Sequence, residues 1–250
     1  MRFEGKSALI TGGTMGIGLE AALRLASEGA SVAITGRRAE AGVAAVAEIE
    51  AAGGTACFVP GDVAIAADVE RMVAQTLDAF GRLDVAVNNA GIGGQKTRAH
   101  EMDETYFREV IDIDLTGVWL SMKYEIPPML AQGGGSIINI SSIAGIKGGT
   151  VAGSAYHAAK HGVVGLTKVA AAEYAADQIR VNCLCPGLVE TPLAAKSFAD
   201  PVLRAEVKAK IPMGRLGMPA DIASAIAYLA SDEADWVTGI ATPIDGGMML

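Results

Sequence analysis

The chain predicts a doubly wound parallel α/β sheet with helices on both faces, in one unit spanning residues 1–250. Three observations carry this. Short β-rich runs recur along the chain and are mostly apolar rather than alternating, as strands buried on both faces are. Ala-rich stretches of helical length separate them, and repeated βα alternation implies right-handed crossovers. No linker rich in Pro, Ser or charge divides the chain.

In order, SALIT (7–11) is the first strand, and a helix follows near 16–28, where Leu19, Ala22, Leu23 and Ala26 recur at the helical period. SVAIT (31–35) and a helix near 39–52 come next, then TACFV (55–59) and a helix near 66–80. VAVN (85–88) precedes one long helix near 103–130, and SIINI (136–140) precedes another near 155–176. IRVNCL (179–184) leads into 186–218, a proline-containing excursion with a short helical piece. Ligands of such sheets bind beyond the carboxyl ends of the strands, so residues 188–215 are placed as a substrate lid. A helix near 219–230 and the run IATPI (240–244) close the series.

Composition narrows the function. Twenty basic residues against 28 acidic give a net charge of −8, the wrong sign for a general nucleic-acid or anionic-membrane binder. Arg2, Glu4 and Lys6 interrupt what would be a signal peptide, and no apolar stretch approaches the ~20 residues of a membrane span. A cytoplasmic location is expected. Cys57, Cys183 and Cys185 form no disulfide framework and read as buried, inert thiols. His157 and His161 have i,i+4 spacing but no third ligand motif, so no metal is expected.

Between the first strand and first helix stands TGGTMGIG, Thr11 to Gly18. Glycines there let the backbone turn tightly and approach a pyrophosphate, which the helix N-terminus favours through its free N–H groups and dipole. The place of this stretch between the first strand and first helix predicts a dinucleotide site on a Rossmann-type sheet, with a merely structural turn as the other reading. The motif TGxxxGxG, followed by NNAG at 88–91, Ser142, Tyr156 with Lys160 in YHAAK, and Pro186-Gly187 with Thr191, resembles the short-chain dehydrogenase/reductase family over essentially the whole length.

That resemblance implies a nicotinamide cofactor and assigns residues to it. Gly12, Thr14, Met15, Gly16, Ile17 and Gly18 would form the pyrophosphate turn. Asp62 and Val63 would hold the adenine, although Asp62 equally suits a cap on the next helix. Asn89, Ala90 and Gly91 would line the adenosine ribose, and Pro186, Gly187, Val189 and Thr191 the nicotinamide end. Gly36 stands where NAD-preferring relatives carry Asp, and Arg37 and Arg38 follow it. A missing carboxylate and two guanidinium groups suit a ribose 2′-phosphate, so NADP(H) is favoured, with NAD(H) left open because Met15 fills a position that is basic in many NADP-using relatives.

The reacting groups follow. Hydride transfer between a ketone and a secondary alcohol needs a proton relay beside the nicotinamide. A free phenol, with a pKa of about 10, keeps its proton near pH 7; a cation one helical turn along favours the phenolate. Tyr156 and Lys160 supply that pair, the resemblance also giving Lys160 a bond to the nicotinamide ribose and Tyr156 a place against the cofactor. Ser142 would position the substrate oxygen.

Asp114, in VIDIDLTG, replaces an Asn that in many relatives holds a water bonded to the lysine. A part in the relay and a structural role at a helix bend both remain open for it. The expected activity is that of a carbonyl reductase or alcohol dehydrogenase on a small-molecule substrate, with specificity in residues 93–98, 144–154 and 188–215. A catalytically silent dinucleotide-binding regulatory protein is the second reading; it expects a broken Ser-Tyr-Lys set. The resemblance further implies a homo-oligomer, a tetramer favoured, joined through the helices near 103–130 and 155–176 and the C-terminal region.

Overall fold

The computed structural model describes residues 1–150, 152–195 and 200–250. Strands β1 (Ser7–Thr11), β2 (Ser31–Gly36), β3 (Thr55–Pro60), β4 (Val85–Asn88), β5 (Gly135–Ile140), β6 (Ile179–Pro186) and β7 (Ala241–Ile244) form one parallel sheet in the order β3-β2-β1-β4-β5-β6-β7. β1 pairs with both β2 and β4, so the winding reverses there. The crevice beyond the carboxyl ends of β1 and β4 is therefore where a ligand is expected.

Side chains alternate across each strand, and both faces are apolar. Ala8, Ile10, Ile34, Val87, Ile138 and Leu184 turn to one face, under α1 (Gly16–Ser27), α2 (Ala39–Ala51) and α8 (Pro219–Ala230). Leu9, Ala33, Ala86, Ile137, Val181 and Cys183 turn to the other, under α3 (Ala66–Phe80), α5 (Gly117–Gln132) and α6 (Gly153–Tyr174). This double burial is why the strands lack an alternating pattern; each fully buried Ile or Leu contributes about 1.5–3 kcal/mol. On the first face α1 and α8, far apart in sequence, pack directly together. Cys183 and Cys185 are buried and Cys57 half-buried, all as free thiols.

The helix expected near 103–130 is interrupted. α4 (Glu104–Ile111) begins at Asp103, whose side chain accepts the Tyr106 N–H at 2.9 Å, and it runs into a π-helical turn over Asp112–Thr116 before α5. The cause is tertiary: the wider turn carries Asp114 inward, fully buried, where it meets a backbone N–H of another segment. β6 reaches Pro186, two residues beyond IRVNCL. Pro243 is tolerated in β7 because that strand lies at the sheet edge.

The excursion after β6 contains α7 (Pro201–Ala209), capped by Asp200 accepting the Val202 N–H at 2.8 Å. It closes on itself where Glu190 N–H donates to Gly217 O at 2.8 Å and Gly217 N–H to Leu188 O at 2.9 Å. Residues 196–199 of the expected lid, and Val151 in the expected substrate loop, lie outside the described residues.

A buried polar group crosses the sheet behind the ligand crevice. Asn88 Nδ2 donates to Asn139 Oδ1 at 2.9 Å and to Glu125 Oε2 at 3.1 Å, and Asn139 Nδ2 donates to Thr167 Oγ1 at 3.0 Å. Burial pushes the Glu125 carboxyl up to about 8, against the opposing pull of the Asn88 N–H. The acid is thus neutral in the core at pH 7.

Candidate active site

Three segments meet at the winding reversal. Gly12 and Gly16 have φ of 63° and 57°, in the left-handed region that glycine occupies without penalty. A Cβ at Gly12 would stand 2.9 Å from Ala90 Cα; one at Gly18 would stand 2.6 Å from Asn89 Nδ2 and closer still to the Gly12 carbonyl oxygen. The turn after β1 therefore packs backbone to backbone against the end of β4. Asn89 completes the join, its Nδ2 donating to the Thr11 and Gly12 carbonyls at 3.1 Å each. Thr11 Oγ1 in turn accepts the N–H groups of Asn89 and Ala90 at 3.0 and 3.1 Å.

This cradle leaves the first turn of α1 open at its N-terminus, where Met15 is extended and makes no side-chain cap. Free N–H groups beside a glycine-rich turn suit a pyrophosphate. Thr191 lies over the same turn: a Cβ at Gly16 would be 3.5 Å from Thr191 Cβ. Gly18→Ala should lower stability by about 1–3 kcal/mol, the cost of overpacking, and weaken cofactor binding, checked by thermal melts with and without NADPH.

At the end of β2, a Cβ at Gly36 would meet Thr14 Cγ2 at 3.0 Å, so a larger side chain is crowded there. Arg37 is mostly exposed, with Nη1 3.7 Å from Asp62 Oδ2. Arg38 Nη2 approaches Met15 Sδ at 3.5 Å. Asp62 uses Oδ1 to accept the Ala64 N–H at 3.0 Å, while the residue preceding α3 is Ile65. It thus shapes the turn before the helix rather than capping the helix itself. Val63 is buried and packs where Gly117 has no side chain, 2.8 Å from the place of a Cβ.

β5 ends beside the second group of residues. Ser142 opens a short 3₁₀ turn, Ile143–Gly145, and its Oγ accepts the Ala144 N–H at 3.1 Å, which leaves its O–H as a donor. The turn fits closely on α6: a Cβ at Gly145 would lie 2.5 Å from the Lys160 carbonyl oxygen, and Ser141 Oγ donates to that carbonyl at 2.8 Å. Gly145 so seats Ser142 against the helix that carries Tyr156 and Lys160. Ser141 is absorbed by the helix and does not face the crevice group.

Tyr156 is half-buried, and Lys160 Nζ sits 5.4 Å from its ring centroid. The ammonium is buried, donates to the Ile140 carbonyl at 3.2 Å and lies 3.2 Å from Asp114 Oδ2. Burial alone would lower the Lys160 pKa, but Asp114 and then Tyr156 outweigh it, and the net shift is upward. The lysine is a fixed cation. Pro186 ends β6, and Gly187 donates its N–H to Ile244 O at 3.0 Å, so both stand at the carboxyl end of the sheet, with Val189 buried just beyond.

His157 and His161 turn their Nδ1 atoms to the carbonyls of Gly153 and His157, at 2.7 and 2.9 Å. Two residues at the crevice escaped the sequence reading. Thr11 was quoted in the motif without a role, and Tyr106, whose O–H donates to Gly93 O at 2.6 Å, carries no sequence signal at all.

Comparison with known proteins agrees with this geometry. A family model described as enoyl-(acyl carrier protein) reductase matches residues 12–249. Cyclohexanol dehydrogenase of Acinetobacter sp. (strain SE19) is 44% identical over 246 residues, 98% of this chain and 95% of that one. Cis-4-hydroxycyclohexanecarboxylate dehydrogenase of Sinomonas cyclohexanicum is 44% identical over 245 residues, covering 98% and 97%. Among solved structures, levodione reductase superposes with a TM-score of 0.95 at 37% identity over 98% of each chain. A variant of actinorhodin polyketide ketoreductase with NADPH gives 0.93 at 36% over 97% of each. A parallel sheet wound about a glycine turn, a cationic lysine beside a tyrosine, and full-length likeness to dehydrogenases agree that the chain belongs to the short-chain dehydrogenase/reductase family of nicotinamide-dependent oxidoreductases.

Proposed function

We propose that the chain interconverts a six-membered-ring secondary alcohol and its ketone, with NADP(H) preferred to NAD(H). The observation that carries the chemistry is the buried Lys160 ammonium 5.4 Å from the Tyr156 ring. When bound, the nicotinamide donates or accepts the hydride. Tyr156 exchanges the proton with the substrate oxygen, and the nearby cation favours its phenolate. Ser142, with one lone pair taken by Ala144 N–H, turns its O–H to the same oxygen. The turn Gly12–Gly18 with Thr14, Met15 and Ile17, and the residues Asp62, Val63, Asn89, Ala90, Gly91, Pro186, Gly187, Val189 and Thr191 hold the cofactor, with residues 188–215 as the lid.

The ring substrate rests on the relatives: two of them, as named, act on cyclohexanol and on a hydroxycyclohexanecarboxylate. The silent regulatory reading loses its ground because Ser142, Tyr156 and Lys160 are all present. Nicotinamide absorbance with cyclohexanol, cyclohexanone and matched open-chain alcohols and ketones tests the reading. Turnover of the ring compounds is expected; no change in absorbance with any of them would sink it.

The NADP(H) preference rests on Gly36, crowded by Thr14, and on Arg37 and Arg38 beside it. Replacing both arginines with alanine should weaken NADPH binding by about 10- to 100-fold, the worth of hydrogen bonds to a charged group, and change NADH little. Fluorescence titration of the two cofactors checks it. The assembly we read as a cytoplasmic homotetramer. Phe107 on α4, Trp119 on α5, Val169 on α6, and Trp236 and Leu250 near the C-terminus are all exposed, which supports burial between subunits; sedimentation velocity measures the state.

A further inference from the structure

Three segments of the chain meet on one side of the crevice. Residues 93–98 follow β4, residues 144–154 run from the end of β5 into α6, and residues 188–215 follow β6. A Cβ at Gly93 would stand 3.7 Å from Leu193 Cδ1 and one at Gly94 2.7 Å from Ala152 Cβ, while Gly153 runs against the Gln95 carbonyl. Ser142 and Tyr156 flank the second segment in sequence, so a substrate that reaches them passes this rim.

The charge of the rim is opposite to that of the whole. In less than a fifth of the length, the three segments hold eight of the chain's 20 Lys and Arg and three of its 28 Asp and Glu, a net of +5 in a chain of −8. Two of those three acids are already engaged, Glu190 with Arg204 at 2.5 Å and Asp200 as the cap of α7. Just beyond the first segment, Glu101 lies 3.6 Å from His100 and Asp103 caps α4. Lys96, Arg98 and Lys147 are exposed and form no ion pair among the described residues. The phosphates of the cofactor do not account for these cations. The turn Gly12–Gly18 follows β1, and Arg37 and Arg38 follow β2, whereas Lys96, Arg98 and Lys147 follow β4 and β5 on the other side of the winding reversal.

We propose that the ring substrate of this chain carries a carboxylate, drawn to the mouth of the crevice and met there by Lys96, Arg98 and Lys147. The proposal rests on the reading of the crevice as a ring alcohol and ketone site, and it names the chemistry that the ring must bear. Cations gathered at the mouth of a cleft with low-dielectric walls concentrate an anion there. A guanidinium also matches a carboxylate with two parallel N–H donors, which fixes direction as well as charge. A neutral ring gains nothing from either effect, so this rim selects by charge.

The probes are an oxocyclohexanecarboxylate, with the keto group across the ring from the acid, and its carboxamide, alike in shape and different by one charge. Calorimetric titration of the full-length chain loaded with NADP⁺ measures both affinities with no turnover. The carboxylate should bind about tenfold or more tighter, since each exposed ion pair is worth up to about fivefold. K96Q, R98Q and K147Q should each cut that ratio by about two- to fivefold, and the triple variant should erase it. Salt at about 1 M, where charges are screened beyond about 3 Å, should shrink it as well. K6Q removes the same charge just before β1, at the opposite end of the sheet, and should leave the ratio where it is.

All three side chains are exposed, so the substitutions leave the packing of the fold alone. Equal affinity for the two probes in the wild-type chain, absence of binding included, overturns the proposal. A ratio that survives in the triple variant overturns it too. Should the wild-type chain turn over no ring alcohol or ketone, the proposed function falls, while the two affinities still decide whether the rim selects an anion.

Discussion

Tyr156→Phe should lower kcat by about 10²–10⁴-fold, the usual worth of a positioned acid/base, with NADPH affinity expected to be retained. The substitution takes away one oxygen and little else. The ring packs beside Val110, Ala155 and Ala159, and phenylalanine fills the same space, so the fold is kept. Lys160 keeps Asp114 at 3.2 Å and the Ile140 carbonyl, so no buried charge is orphaned by the change. Single-turnover measurement of nicotinamide absorbance, with binding followed separately by fluorescence, separates chemistry from affinity. Wild-type turnover in Tyr156→Phe would remove Tyr156 from the mechanism.

Glu125→Gln has the largest expected effect on stability, and its size depends on pH. In the folded chain the carboxyl holds its proton up to about 8, against an ordinary value of 4.5. Between these values the folded state binds a proton that the unfolded state has released. Stability from this group is therefore fully present below about 4.5, falls as pH rises, and is flat again above about 8. At about 1.36 kcal/mol per pH unit, that loss approaches about 5 kcal/mol as an upper value. Glutamine keeps an acceptor for Asn88 and has no charge to bury. Unfolding by urea at pH 5 and pH 9 should show the variant markedly more stable than wild type at the higher pH, with the difference nearly gone at the lower. An equal loss in both proteins would contradict the burial of this charge.

The strands and their order along the chain were legible because burial on both faces imposes long apolar runs, and SALIT and VAVN match β1 and β4 at both ends. The glycine turn was legible for a related reason: backbone passing within contact distance of backbone tolerates no Cβ at Gly12 or Gly18. The interruption of the long helix was not legible in the residues themselves; only the resemblance offered Asp114 a role at a helix bend, beside a part in the relay. The segment DIDLT has nothing locally to distinguish it from its neighbours; the π turn exists because Ile92 and Lys160, distant in sequence, both reach Asp114. Glu125 misleads in the same way, since a charged residue on a helix reads as solvated, and only its place behind Asn88 and Asn139 buries it. Tyr106 was invisible because its partner is a carbonyl, which every residue has. Chemistry carried by a motif could be read, and chemistry carried by contacts between distant segments could not.

The packing of α1 on α8 has a consequence in time as well as in space. A ribosome extends a chain at about 5–20 residues per second, so α1 is complete roughly 10–40 s before its partner helix is made. Through that interval the apolar face formed by Ala21, Ala22 and Leu25 has no cover from Ile222 and Ile226. The glycine turn at the head of α1 is thus built on a helix that is made early and covered late, once α8 has been made.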